Sequence, residues 1–172
     1  KYMTAKEEDI LTSQNLIQQG TAIDTLLKSL IVDKSINMDD MLIGDKNAIM
    51  IAARILGYGK EYGFTYDGKE QSVDLSTLES VKIDFSKFTK GINELSYKLP
   101  VSEREIVFKL LTGQDEIEID KEIKAKEKLT KTQSFELTTR LKHMIISIDG
   151  KSEKSVINNF VDNEFLSRDS LP

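Results

Sequence analysis

The side chains able to do chemistry in this chain are few, and each sits in a context that limits what it can do. Gly57-Tyr58-Gly59 with Gly63 has the composition of a phosphate-cradling loop. Such a loop follows a strand and opens a helix. Here the glycines follow a helical pattern and open an alternating one, which predicts a structural turn. The adjacent carboxylates Glu7-Glu8 and Asp39-Asp40 are acid and base types, but adjacent residues on a helix do not face one another. Glu7 also completes a Thr4-x-x-Glu7 capping box. His143 is the single histidine and there is no cysteine. Imidazole clusters, thiolate nucleophiles, disulfides and Cys-based zinc sites are therefore excluded together. Serines and lysines are plentiful, yet none lies in a nucleophile elbow or a Ser-x-x-Lys site. The segment Asp115 to Glu122 lacks the central glycine and alternating ligands of a calcium loop. No catalytic residue, cofactor site or metal site is expected, and the protein is read as a non-enzyme.

Arg54 is the remaining chemical singularity. It is the one charge within Ala48, Ile49, Met50, Ile51, Ala52, Ala53, Ile55 and Leu56, a helix between Lys46 and Leu56 that is apolar on every side. Such a helix should be surrounded by protein, and its guanidinium should find a carboxylate. Asp39, Asp40 and Asp45 are the nearby acids, so an ion pair to one of them is expected.

The elements that would position these residues follow from periodicity. A first helix opens at Thr4, carries Ile10 and Ile17 on one face, and ends at Gly20. Thr21 caps a second helix with Ile23, Leu26, Leu27, Leu30 and Ile31 on one stripe. After Gly59 the period changes to two. Tyr62, Phe64 and Tyr66 alternate, Asp67-Gly68 follows, and Gln71, Val73 and Leu75 alternate again, which predicts a two-residue hairpin with Tyr62 opposite Val73 and Phe64 opposite Gln71. Val81, Ile83 and Phe85 suggest a third strand. Leu95, Tyr97 and Leu99 should pair with Ile106, Phe108 and Leu110. From Asp115 a charged stretch with Asp120→Lys124 and Glu122→Lys126 spacing reads as a solvated connector helix. A helix from about Ser134 carries Leu137, Leu141, Met144, Ile145 and Ile148, and a last one runs from about Ser152 with Ile157, Phe160, Val161 and Phe165. The fold class is α+β: N-terminal helices over 1–59, a small antiparallel β region over 60–112, and C-terminal helices over 113–172, in one compact domain.

Composition is that of a folded soluble protein, with 39% hydrophobic and 31% charged residues. A net charge of −5 argues against phosphate-backbone binding, and the lysine-rich stretch Lys121 to Lys131 is balanced by acids. No apolar run approaches a membrane span. The absence of cysteine suits a reducing cytoplasm.

The order of several segments resembles one family. DDMLIGDKNAIMIAARILGYGKEY (Asp39 to Tyr62), TAKEEDILTS (Thr4 to Ser13), LPVSEREIVFKLLTGQDE (Leu99 to Glu116) and RLKHMIISIDG (Arg140 to Gly150) together resemble the baseplate hub assembly proteins of contractile-tailed, T-even-type phages. The matching positions in the first segment are Asp39, Asp40, Leu42, Gly44, Asp45, Arg54, Tyr58 and Gly59. The resemblance implies a chaperone-like assembly factor that binds hub or spike components during tail morphogenesis. Its partners would be other baseplate hub or tail proteins, with no nucleic acid and no membrane span, and homo-oligomerisation is left open. Its place would be the host cell cytoplasm during assembly, or the tail baseplate of the virion. Some relatives carry a Cys pair in the hairpin; this chain has none, so no metal role carries over. The residues expected to meet a partner or anchor the fold are Asp39, Asp40, Asp45, Arg54, Tyr58, Tyr62, Phe64 and Tyr66. The rival expectations are a structural hub subunit retained in the virion and a small hydrolase acting on cell wall or nucleotide.

Overall fold

The computed structural model describes residues 1–79, 89, 91–130 and 134–169. It is an α+β fold with helices at both ends and two antiparallel sheets, of two and three strands. Where one compact domain was expected, the chain divides into two compact units, Lys1–Lys82 and Ile83–Pro172. The hairpin groups with the N-terminal helices and the later β pair with the C-terminal ones, so the expected segment boundaries do not coincide with this division.

In the first unit, α1 (Ala5–Thr12) opens on the Thr4/Glu7 capping box. Ser13 takes an extended conformation, so the single helix expected up to Gly20 is broken into α1 and a short α2 (Gln14–Gln18). Helix α3 (Ala22–Leu30) buries Leu26, Leu27 and Leu30 of the anticipated stripe, and Ala22 beside them, while Ile23 remains exposed and Ile31, past the helix end, is half-buried. It packs chiefly on α1 and secondarily on α4 (Ile43–Tyr58). Lys46 Nζ reaches Asp24 at 2.6 Å and ties α3 to α4. Gly57 permits close approach of the N-terminal segment, since a Cβ there would lie 3.0 Å from Met3 Sδ.

Strands β1 (Glu61–Tyr66) and β2 (Lys69–Asp74) form the expected hairpin, with Tyr62 opposite Val73 and Phe64 opposite Gln71. Asp67 at φ 49 and Gly68 at φ 70 place both turn residues in the left-handed region, as a turn matching strand twist requires. A 3₁₀ turn (Leu75–Thr77) follows, and the expected strand at Val81, Ile83 and Phe85 lies outside the described residues.

In the second unit, β3 (Leu95–Lys98) and β4 (Glu105–Phe108) form the expected antiparallel pair, Leu95 with Phe108 and Tyr97 with Ile106, but Leu99 and Leu110 lie beyond the paired strands. The third strand of this sheet is a correction. Residues Ile145 and Ile148, expected on a helix, lie instead in β5 (Ile145–Ile148), antiparallel to β4. Helix α6 stops at Met144 (Glu136–Met144). β-branched isoleucines favour the extended state, and Asp149-Gly150, both at positive φ, end the strand in a tight turn. Pairing Ile106 with Ile148 buries both at the centre of a cluster with Leu99, Ile145, Ile157, Phe160 and Val161. Helix α7 (Lys154–Asn159) passes into a π turn (Phe160–Glu164), where Phe160 meets Phe165 edge-on at 5.7 Å. Helix α5 (Gly113–Leu129) is no mere connector: Ile119 is fully buried.

Candidate interaction surface

Helix α4 carries the largest departure from expectation. It has no buried residue. Leu56 and Tyr58 are exposed, and Ile49, Ile51 and Ile55 are half-buried. The helix is therefore not enclosed, because α3 and the 3₁₀ turn after β2 cover only part of its circumference.

Arg54 does not pair with Asp39, Asp40 or Asp45. Its Nη1 donates to the Gly59 carbonyl at 3.1 Å and its Nη2 to the Glu61 carbonyl at 3.4 Å. Its guanidinium carbon lies 4.9 Å from the Tyr58 ring centroid and 5.7 Å from that of Tyr62. The last turn of α4 puts Arg54 and Tyr58 four residues apart on one face, and Gly59, at φ 86, turns the chain so that β1 returns beside them. A half-solvated arginine needs no carboxylate; its planar donors suit carbonyls and its flat face suits rings.

The three aspartates serve local structure. Asp39 lies 3.6 Å from Lys28 Nζ, and Asp40 accepts from Asn37 Nδ2 at 2.8 Å. Asp45 stands exposed in the first turn of α4, where its charge complements the helix dipole.

The aromatic residues do come together. Strand alternation places Tyr62, Phe64 and Tyr66 on one hairpin face with Lys69, Gln71 and Val73. The rings of Tyr62 and Phe64 stack at 6.2 Å and 25°. Tyr62, Phe64 and Tyr66 are 45%, 42% and 72% exposed, so this face is open rather than packed into a core. The opposite hairpin face carries Glu61, Glu70 and Asp74 and is acidic. Tyr58 donates its hydroxyl to Glu8, which pushes the phenol pKa up. The result is a continuous aromatic strip from Tyr58 through Tyr62 and Phe64 to Tyr66, with Arg54 joining helix to hairpin.

A second polar centre was not singled out by residue type. In the second unit a cleft of about 570 Å³ is lined by Lys109, Asp115, Glu122, Lys142 and His143 among others. His143 Nε2 lies 2.9 Å from Glu122 Oε2, and Lys109 Nζ lies 2.6 Å from Asp115 Oδ1. Lys126 and then His143 hold the Glu122 carboxyl below its usual range. Burial pushes Asp115 up, but Lys109 and the Thr112 donors outweigh it and the net direction is down. The His143–Glu122 contact and the bidentate Arg140–Glu116 pair dock α5 on α6, while Lys109–Asp115 ties the start of α5 to the end of β4. His143 thus has a carboxylate partner already in place. The available signal was the three-residue spacing of Arg140 and His143, which puts both side chains on one helix face. Among the described residues no group of three metal-ligating side chains converges, and no helix is long and apolar enough to cross a membrane.

Compared with protein-family models, curated proteins and solved structures, the chain matches none.

Proposed function

We propose that this protein is a non-enzymatic assembly factor for the baseplate hub of a contractile phage tail, acting by binding hub or spike proteins. One structural observation carries the binding part: the open aromatic strip of Tyr58, Tyr62, Phe64 and Tyr66, continuous with the uncovered flank of α4. Apolar surface left contiguous and exposed marks interaction sites, and tyrosine with phenylalanine is enriched at their centres. Arg54 adds a cation held rigidly beneath two rings, the residue type that interface energetics favours. The hub assignment rests on the ordered resemblance of the segments at Thr4, Asp39, Leu99 and Arg140. A factor of this kind covers a sticky partner surface until the correct neighbour replaces it, which requires an apolar face on the factor itself and no reaction centre.

Quantitative mass spectrometry of purified tails, beside extracts of infected cells, tests the role. The chain should be present in extracts, bound to hub proteins, and missing from finished tails. Stoichiometric presence in the tail would make it a structural subunit instead.

A further inference from the structure

Among the described residues, the outer edge of the hairpin carries Arg54 at the Glu61 carbonyl and is open from Gly63 onward. In β1–β2 the backbone groups that bond across the pair can be assigned from the Leu75 N–H, which donates to the Lys60 carbonyl at 2.8 Å. Alternation then turns the N–H and C=O of Tyr62, Phe64 and Tyr66 toward β2, and those of Glu61, Gly63 and Thr65 outward. The outward direction is corroborated by Arg54, whose side chain reaches the Glu61 carbonyl from outside. On the other edge the outward residues are Glu70, Ser72 and Asp74.

Every residue of β1 is exposed, as are the first four of β2. A two-stranded ribbon with neither face covered is marginal in water, and three or more strands with an apolar face are needed for independent stability. Gly63 adds a second observation. It lies mid-strand, its φ is not positive, and a Cβ built there would meet only the Gln71 carbonyl at 3.9 Å, an ordinary contact. The single chain therefore gives no reason for a glycine that weakens a strand. A strand glycine often marks a bulge, a tight bend or a place where a ligand or another backbone approaches closely, and the unbroken β1–β2 register leaves no bulge here.

We infer that β1 pairs antiparallel with β1 of a second copy of this chain about a two-fold axis at Gly63, making a four-stranded sheet β2-β1-β1-β2. In this register Gly63 lies opposite Gly63 of the second copy, Tyr62 opposite Phe64 of the second copy, and Glu61 opposite Thr65 of the second copy. The aromatic strips of the two hairpins then join into one face, with two new cross-strand aromatic pairs of the kind that stabilise sheets. No like charges oppose one another. The other edge cannot do the same: pairing β2 with itself about Ser72 sets Glu70 against Asp74 of the second copy, and acidic residues on an edge are a device against such pairing. Charge thus favours β1 over β2 as the pairing edge, and the Gly63–Gly63 and Tyr62–Phe64 oppositions favour a second copy as its occupant. The edge contact is distinct from the aromatic face offered to hub proteins and stands whether or not that assignment does.

Sedimentation equilibrium on the full chain tests this. The wild type should show a reversible dimer. Thr65→Glu places an acid opposite Glu61 of the second copy at two symmetric positions and should weaken dimerisation roughly tenfold. Glu61→Lys added to Thr65→Glu should restore it. That rescue excludes damage within the hairpin, because the cross-strand neighbour of Thr65 is Glu70 and the second change leaves that pair alone. Position 63, 61 and 65 amides should exchange more slowly in the dimer than in the dilute monomer. A chain monomeric at every accessible concentration, or a dimer indifferent to both variants, overturns the inference. So does a β1 edge found paired with a strand of another protein while this chain stays monomeric.

Discussion

Arg54 reaches two carbonyls and two rings rather than a carboxylate, and this fixes what its removal should do. Arg54→Ala should cost about 1–2 kcal/mol of stability, the combined loss of two long, half-exposed hydrogen bonds and surface cation–π contacts. Asp45→Asn should change stability by less than ~1 kcal/mol, and a double-mutant cycle in urea should find no coupling between the two. A coupling of the size of the Arg54→Ala loss would restore the ion pair that the sequence suggested. Glu7 is the buried acid of the first unit: Lys1 and then Thr4 lower its pKa from the usual 4.5 to about 2. Because the folded pKa lies below the unfolded one, the stability it contributes is complete above about pH 4.5 and drains as pH falls toward 2. Glu7→Gln should therefore be less stable than wild type at pH 7, with the gap closing in acid, as thermal melts across that range would show.

At the scale of elements, local signals were legible where one residue type enforces one conformation. Asp67-Gly68 dictated the hairpin and its register, and the leucines of α3 declared their buried face, because turn chemistry and a period of 3.6 are local properties. The same logic misread Ile145 and Ile148, whose spacing suits a helix stripe. What decides them is a bare edge of β4, a partner nearly forty residues away in sequence that no local pattern reveals. Helix α5 was obscured in the opposite way. Its charges look like a solvated face, yet Glu116, Glu122 and Lys126 reach α6, and Ile119 is buried. Ile119→Ala should accordingly cost about 2–5 kcal/mol, while Lys124→Ala on the exposed side should stay within about 0.5 kcal/mol. Chemical denaturation of the two variants checks the contrast, and equal small effects would return α5 to the status of a connector. The candidate site was half legible: alternation placed Tyr62, Phe64 and Tyr66 on one face, but whether that face is buried depends on packing that the sequence does not state.

At the scale of the whole molecule, apolar surface is distributed in a way that stability alone does not explain. The second unit encloses its apolar cluster around Ile148 and Phe160, whereas the first leaves α4 and the hairpin open although their residues are apolar enough to form a core. A chain whose work is to hold other proteins has a use for such a face. Replacing Tyr62 and Phe64 together by serine should leave the fold intact, since both side chains are exposed, and should abolish partner binding. The most direct test is affinity capture of the tagged full chain from cells infected with a contractile-tailed phage, wild type beside this double variant, with the bound proteins identified. Baseplate hub or spike proteins should be bound to the wild type and lost from the variant. Recovery of no tail protein by the wild type, or equal recovery by the variant, would contradict it.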